Sequence, residues 1–314
     1  MNIKEKINKT NKALFIKFGE QGKFEKECID NNILKIGYND ADHSLCLQGN
    51  WKKIKDYYVN KRGLSKGVST YHINQIKYFY EEGAETLWIT FYNNKLYWCF
   101  SENKVLLQKD KTKIRKVINS WSCKNLKGQI LFLENISGRL TRTQGFRGTI
   151  CTVPEREYLI KKITCEQTKE IKDAEESLGQ LKDKLTLLIK KLNPKDFELL
   201  VDLIFRSGGW QREGVVGKTQ KSIDLAIFHP INNERAVVQI KCQTNLSEFN
   251  KYKKIFAEMA DYDRFFYVAH TPLGGEDKYK KENDIDNLYL YFSDDIAKLA
   301  INSGLFDWIL KKVE

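Results

Sequence analysis

The sequence predicts an α+β protein of two domains. A β-rich first half reads as a small barrel with a few helices, a charged helical connector follows, and an α/β second half is built on a mixed sheet. Three observations predict this. The chain has 314 residues, more than one hydrophobic core usually holds. Short strand-like runs broken by turn residues fill residues 13 to 151. After Pro194 the pattern becomes helix, turn, strand, turn, strand, helix, strand, helix, an α/β order in which helices cover at least one face of a sheet. The expected boundaries are 1–153, 154–192 and 193–314.

In the first half, "ALFIKF", "ILKIGY", "GQILFLE" and "GTICTV" read as strands, and "TLWITFY" and "KLYWCF" as a hairpin turning at Asn93 and Asn94. One helix is expected in "VSTYHINQIKYFYEEG" (68–83). From Glu155 to Leu192 the chain is charged and poor in glycine, and Leu178, Leu181, Leu185, Leu188 and Leu192 recur at spacings of three and four. This is an amphipathic helix with about two heptads of seam, suited either to packing on the protein's own body or to a homodimer contact. Asn193 can cap and Pro194 can start a new helix, "KDFELLVDLIF". There follow the turn "SGGW", strands in "SIDLAIF" (222–228) and "RAVVQIKC" (235–242), a helix from about Leu246 to Tyr262, the strand "RFFYVAHT" (264–271) and a final helix "DDIAKLAINSGLFDWILKKV". No internal repeat or low-complexity tract is present.

The formal charge of +12 favours a polyanionic partner, nucleic acid or an acidic surface, although a merely lysine-rich protein would carry it too. The apolar runs are too short for a membrane span or a signal-peptide core, so a cytoplasmic location is expected. Seven scattered cysteines without a CxxC pair fit reduced thiols better than disulfides or zinc.

One strand spends its polar residues oddly. In "RAVVQIKCQ" (235–243), Gln239 and Lys241 are two apart and therefore emerge on one face. Asp224 lies in the preceding strand, and the turn-rich "HPINNE" between them permits a hairpin that brings all three to one end of the sheet. Glu198, on the first helix of this domain, can approach from the side. Carboxylate and amide oxygens suit hard cations such as magnesium, and a neighbouring lysine favours deprotonated water and offsets charge on a reacting phosphate. Other motifs fail. "GVVGKT" would need a glycine at Arg212 and a following helix to be a phosphate loop. The four histidines lack metal-ligand spacing, and no serine elbow accompanies them.

The ordered set Glu198, Asp224 and Gln239-Ile240-Lys241 resembles the PD-(D/E)XK nucleases, specifically the Mrr-like branch in which Gln replaces the acidic residue before the lysine. The segments "DFELLVDLIFRSGGW", "VVQIKCQT", "FFYVAHTP" and "LAINSGLFDWI" extend the resemblance over most of 193–314. Lys221, Ser222 and Ile223 stand where that pattern often has glycines. The resemblance implies an endodeoxyribonuclease of type IV or type II-like restriction. Asp224, Gln239 and the Ile240 carbonyl would hold Mg²⁺, with Mn²⁺ as a substitute, Glu198 would be an auxiliary ligand, and Lys241 would assist the water.

The first half resembles PUA-like or EVE-like modules that read modified DNA, on "KALFIKFGEQGKFEKECIDNNILKIGY" and "HINQIKYFYEEGAETLWITFYNNKLYWCF". Several relatives hold a flipped base against aromatic walls, a role for which Trp51, Trp88, Trp98 and Trp121 are candidates, though aromatic residues more often fill cores. Basic residues interleave with aromatics at 51–77 and 104–116 and suit phosphate contacts or a solvated face. The expected contacts to double-stranded DNA are Trp51, Lys52, Lys53, Arg62, Trp98, Arg142 and Arg147. The rival readings are a non-cleaving nucleic-acid-binding protein, an interaction module of a defence complex, and a structure-specific or RNA nuclease.

Overall fold

A computed structural model of the chain describes residues 2–213 and 223–314. It divides into two compact units, Met1–Gln167 and Thr168–Glu314. "GVVGKT", Lys221 and Ser222 lie outside the described residues.

In chain order the first unit comprises α1 (Ile3–Lys9), β1 (Ala13–Ile16), α2 (Glu25–Asp30), β2 (Ile33–Ile36), α3 (His43–Leu47), α4 (Trp51–Asn60) and α5 (Lys66–Glu81). It continues through β3 (Leu87–Tyr92), β4 (Lys95–Leu107), β5 (Lys113–Ser122), α6 (Gly138–Thr141), β6 (Ile150–Thr152) and α7 (Arg156–Thr164). The strands form one sheet in the order β2-β5-β4-β3-β1-β6, with apolar side chains packed on both faces. This sheet is open, which corrects the expected closed barrel: β2 and β6 end it on opposite edges. The β3–β4 hairpin turns at Asn93 and Asn94 as expected, both with positive φ (47° and 57°), a conformation that Asn tolerates better than most residues.

Two local readings differ from the structure. "GQILFLE" makes only single bridges, Lys95 to Phe132 and Lys124 to Ile130, before a short 3-10 turn at Leu133–Asn135. The Asn125 side-chain oxygen accepts from the N–H groups of Lys127 and Gln129 and curls the chain into a local turn, which outcompetes pairing along a strand. Helices α3 and α4 escape a charge-based reading, but their signals are visible. Asp42 and Asn50 accept from Leu45 and Lys53 N–H as caps, and Ile54 and Tyr58 fall four apart on the buried face of α4.

The second unit comprises α8 (Lys169–Ile189), α9 (Pro194–Ser207), β7 (Gln211–Arg212), β8 (Leu225–Phe228), β9 (Arg235–Thr244) and α10 (Leu246–Ala257). It ends with β10 (Arg264–Pro272), α11 (Glu276–Glu282), β11 (Leu288–Tyr291), α12 (Ser293–Asn302) and α13 (Phe306–Val313). The sheet order is β11-β10-β9-β8-β7; β9, β10 and β11 run parallel and β8 pairs antiparallel with both neighbours, so the sheet is mixed. One face packs against α8, α9, α12 and α13, the other against α10 and α11. The expected last helix is two helices, because Gly304 at φ +68° ends α12 in a left-handed turn.

The stretch read as a connector divides between the units. Leu159 and Ile163 of α7 pack in the first core, Leu185, Ile189 and Leu192 in the second. The C-terminal half of the leucine seam thus packs on its own unit, reinforced by Lys182 to Asp294 on α12 at 2.9 Å, whereas Leu178 stays 52% exposed.

Candidate active site

β8 begins at Leu225, whose partner on β9 is Val238, and β9 continues to Thr244. Alternate residues of a strand turn their N–H and C=O to the same side, so those of Ile240, like those of Val238, face the β8 side of β9. Asp224, one residue before β8, stands on that side: its Oδ2 accepts from the Ile240 N–H at 2.6 Å and from the Gln239 side-chain amide. The hairpin therefore delivers the carboxylate to the two residues expected from the sequence.

Gln239 and Lys241 emerge on the α10 face. Gln239 is 2% exposed, and its Oε1 is buried without a hydrogen-bond partner. Lys241 reaches Glu248 Oε1 on α10 at 3.3 Å, and its Nζ lies 5.1 Å from the centroid of the Tyr252 ring. Burial works against the Lys241 ammonium, but Tyr252 and Glu248 outweigh it and hold its pKa above the ordinary value. Desolvation raises the Asp224 carboxyl, while the Ile240 N–H, the Lys241 charge and the Gln239 amide pull it back. Asp224 as a residue is solvent-exposed, yet the oxygen that matters is the one clasped by two donors. Burial outweighs these groups, so the carboxyl stays above its ordinary value, while the two hydrogen bonds and the Lys241 charge favour its ionised form.

Residues 189–271 match a family model of the Mrr type described as a restriction endonuclease, and the matched span includes every residue of this cluster. The second unit carries an Mrr-type restriction endonuclease domain. The chain is an endodeoxyribonuclease with DNA as its substrate. No curated protein matches it. Among solved structures it is similar to the DNA modification-dependent restriction endonuclease AspBHI, at 10% identity and a TM-score of 0.30, over 95% of this chain and 84% of that one; at such a level neither fold nor function transfers.

Restriction endonuclease domains of this kind generally use divalent metal ions. The donor set of the Mrr-type domain fits one. The second Asp224 oxygen makes no hydrogen bond among the described residues, Gln239 Oε1 is an orphaned buried acceptor, and the Ile240 carbonyl is turned to the same side of β9 as the N–H that Asp224 holds. Among the described residues no group of three His, Cys, Asp or Glu stands close enough to hold a metal, so amide and backbone oxygens must complete the set.

Among the described residues Glu198 has no hydrogen bond or ion pair to this cluster. It lies exposed on α9, where its charge raises the pKa of the Cys242 thiol, already raised by burial. Cys242 follows Lys241 and turns to the opposite face, against the core that α9 helps to build. The structure thus brings together Asp224, Gln239, Ile240 and Lys241 and leaves Glu198 beside Cys242. Glu248 and Tyr252 were missed by sequence reasoning, although their spacing of four on a helix beside the lysine strand was a signal.

In the first unit, Trp98 is 6% exposed and its Nε1 donates to the Lys124 carbonyl, so it cannot act as a stacking wall. Trp88 and Trp121 are core residues as well. Trp51 is half-buried at the start of α4, with its Nε1 donating to Glu81 and Lys77 over its ring. Lys52 and Lys53 are exposed; Arg62 is paired with Asp40 at 2.9 Å. Arg142 and Arg147 are exposed, and among the described residues neither guanidinium has an ion pair. Of the basic run at 104–116, Lys113 and Arg115 point inward: Lys113 donates to the Tyr38 carbonyl, and Arg115 to the carbonyls of Glu102 and Phe79 at 2.7 and 3.1 Å. No helix of the described residues is long and apolar enough to cross a membrane.

Proposed function

We propose that the chain is a magnesium-dependent DNA endonuclease that selects modified DNA with its first unit and hydrolyses phosphodiester bonds with its Mrr-type domain. The observation that carries the catalytic part is the clasp of Asp224 on Ile240 and Gln239, with the buried Gln239 Oε1 left without a partner and the Lys241 ammonium on the same face of β9. A magnesium ion there would supply Lewis-acid polarisation of the phosphate and a more acidic bound water. Asp224, Gln239 and the Ile240 carbonyl are the residues to hold it. Lys241 offsets charge on the phosphate and favours hydroxide over water near it. Mn²⁺ is expected to substitute, since it accepts the same oxygen ligands.

Selection of modified DNA is supported by the resemblance of the first half to base-reading modules. A concavity of about 700 Å³ lined by Arg139, Arg142, Thr143, Phe146 and Cys151 offers cationic and aromatic groups side by side. Such a lining suits a phosphate and an extruded base together. Trp51, Lys52, Lys53, Arg142 and Arg147 remain the proposed DNA contacts. Cutting both strands calls for two copies of the site, hence a homodimer.

The test is cleavage of one plasmid prepared unmodified, with 5-methylcytosine and with 5-hydroxymethylcytosine, in Mg²⁺ and in EDTA. Wild type is expected to cut at least one modified form, and Asp224→Asn and Lys241→Ala to cut none while binding DNA within a few-fold of wild type. Equal cutting by Asp224→Asn sinks the catalytic assignment. An intact panel with salt-dependent binding retained points to the non-cleaving alternative.

A further inference from the structure

We propose that Glu248 is a positioning residue that holds the Lys241 ammonium at the cleavage site; its purpose rests on the nuclease reading above. Glu248 is the third residue of α10, behind the cap Asn245, whose Oδ1 accepts from the Glu248 N–H at 2.9 Å. A glutamate here ordinarily reaches back to the N–H of the capping residue. This one does not. Its Oε1 meets Lys241 Nζ at 3.3 Å, and its Oε2 accepts from Thr244 Oγ1 at 3.3 Å. Helix capping therefore leaves the direction of the side chain unexplained.

The far end of the carboxylate is anchored in the core. The Thr244 hydroxyl also bonds the Tyr267 hydroxyl, both residues are buried, and Tyr279 donates to the Thr244 carbonyl at 2.8 Å. Tyr267 sits beside Gln239 in the β9–β10 register, so the chain of hydrogen bonds runs from the metal-facing amide's neighbour to the lysine. Tyr252, one turn along α10, closes the other side of the ammonium. A lysine side chain has four rotatable bonds, and nothing else among the described residues forms an ion pair with Lys241. Without the glutamate the ammonium keeps only its contact with Tyr252 and loses the ion pair that orients it.

Glu248→Gln keeps the shape and the acceptor for Thr244 but removes the charge that holds Lys241. Two readouts test it. In the metal-free protein, acetylation of Lys241 by acetic anhydride, measured by mass spectrometry against the remaining lysines, is expected to rise several-fold in the variant. In plasmid cleavage, kcat is expected to fall by roughly ten- to thirty-fold, the scale set by releasing a lysine's rotamer freedom, with KM for DNA within about two-fold. The melting temperature should stay within about 2 °C, because a half-exposed ion pair adds little stability. Unchanged acetylation overturns the holding, whatever the cleavage result. Raised acetylation with wild-type kcat overturns the positioning role. A wild-type chain that cuts no DNA removes the nuclease reading and with it the purpose, while acetylation still decides the contact.

Discussion

His270 makes the second unit sensitive to acid. It lies on β10, 6% exposed, with its Nδ1 2.8 Å from the Thr271 hydroxyl, its ring edge-on to Phe197 on α9 at 4.7 Å, and its Nε2 without a partner. Burial, helped by the charge of Lys190, lowers its pKa from 6.5 to about 4. Above pH 6.5 neither the folded nor the unfolded chain binds the proton, and stability is full. As pH falls, the unfolded imidazole takes up a proton near 6.5 and the folded one only near 4, so stability declines across that window. At about 1.4 kcal/mol per tenfold, the loss by pH 4 is about 3 kcal/mol, a large share of a domain's total. His270→Asn keeps a polar group near the Thr271 hydroxyl and removes the titration. Urea unfolding at pH 7 and pH 4.5, followed by hydrogen exchange in peptides from β9 and β10, reads this unit alone. The variant is expected to be less stable at pH 7, because it leaves space beside Phe197, and to lose about 2–3 kcal/mol less than wild type on acidification. An equal loss in both proteins, within about 0.5 kcal/mol, would refute the assignment of a neutral, buried imidazole.

Two further outcomes concern the first unit. Arg115→Met should destabilise it by about 2–4 kcal/mol, because the Glu102 and Phe79 carbonyls lose their buried donor, and Arg115→Lys should recover little, lacking the planar fork that reaches both; thermal unfolding followed by fluorescence of Trp88, 5.6 Å from the guanidinium, measures both. Reversing Arg142 and Arg147 together to Glu should weaken DNA binding and lower the slope of log affinity against log salt by roughly 2, one for each lost phosphate contact, in a fluorescence-anisotropy titration.

The strand-level part of the site was legible because it rests on short-range rules. Residues two apart on a strand share a face, and a turn-rich loop of six makes a hairpin, so Asp224, Gln239 and Lys241 followed from the sequence. Glu248 did not follow, because an Asn cap and a glutamate three residues on already have an ordinary explanation; only the crossing of α10 over the end of β9 turns that side chain toward the lysine. Glu198 illustrates the converse: helical order placed it near the domain's start, but which face of β9 its helix covers is decided by core packing. In the first unit a run of positive charges read as surface contained Lys113 and Arg115, which are buried and donate to backbone carbonyls, and no charge pattern distinguishes them from Lys109 or Lys111. Trp98 lost its expected role for a similar reason, its indole N–H being satisfied internally.

Among the described residues of the second unit three buried side-chain atoms lack a partner: His229 Nδ1, Gln239 Oε1 and His270 Nε2. Each costs on the order of 1–3 kcal/mol, and orphans of this kind are retained where something else depends on them. Their surroundings differ. His270 faces the ring of Phe197, and His229 stands beside Trp210, so both are bordered by aromatic surface that can supply no compensating charge. Gln239 alone shares its surroundings with a carboxylate clasped on the backbone, the Ile240 carbonyl on the same side of the strand and a lysine whose charge bears on that carboxylate. An amide in a fold with no further task would turn its oxygen toward a donor. Here the Asp224 carboxylate takes the amide hydrogens and leaves the oxygen unmatched, an arrangement that a cation between the two groups would resolve by letting the amide rotate and present its oxygen. The place where the local rules of burial are broken is therefore the place where the carboxylate, the backbone of β9 and the ammonium meet.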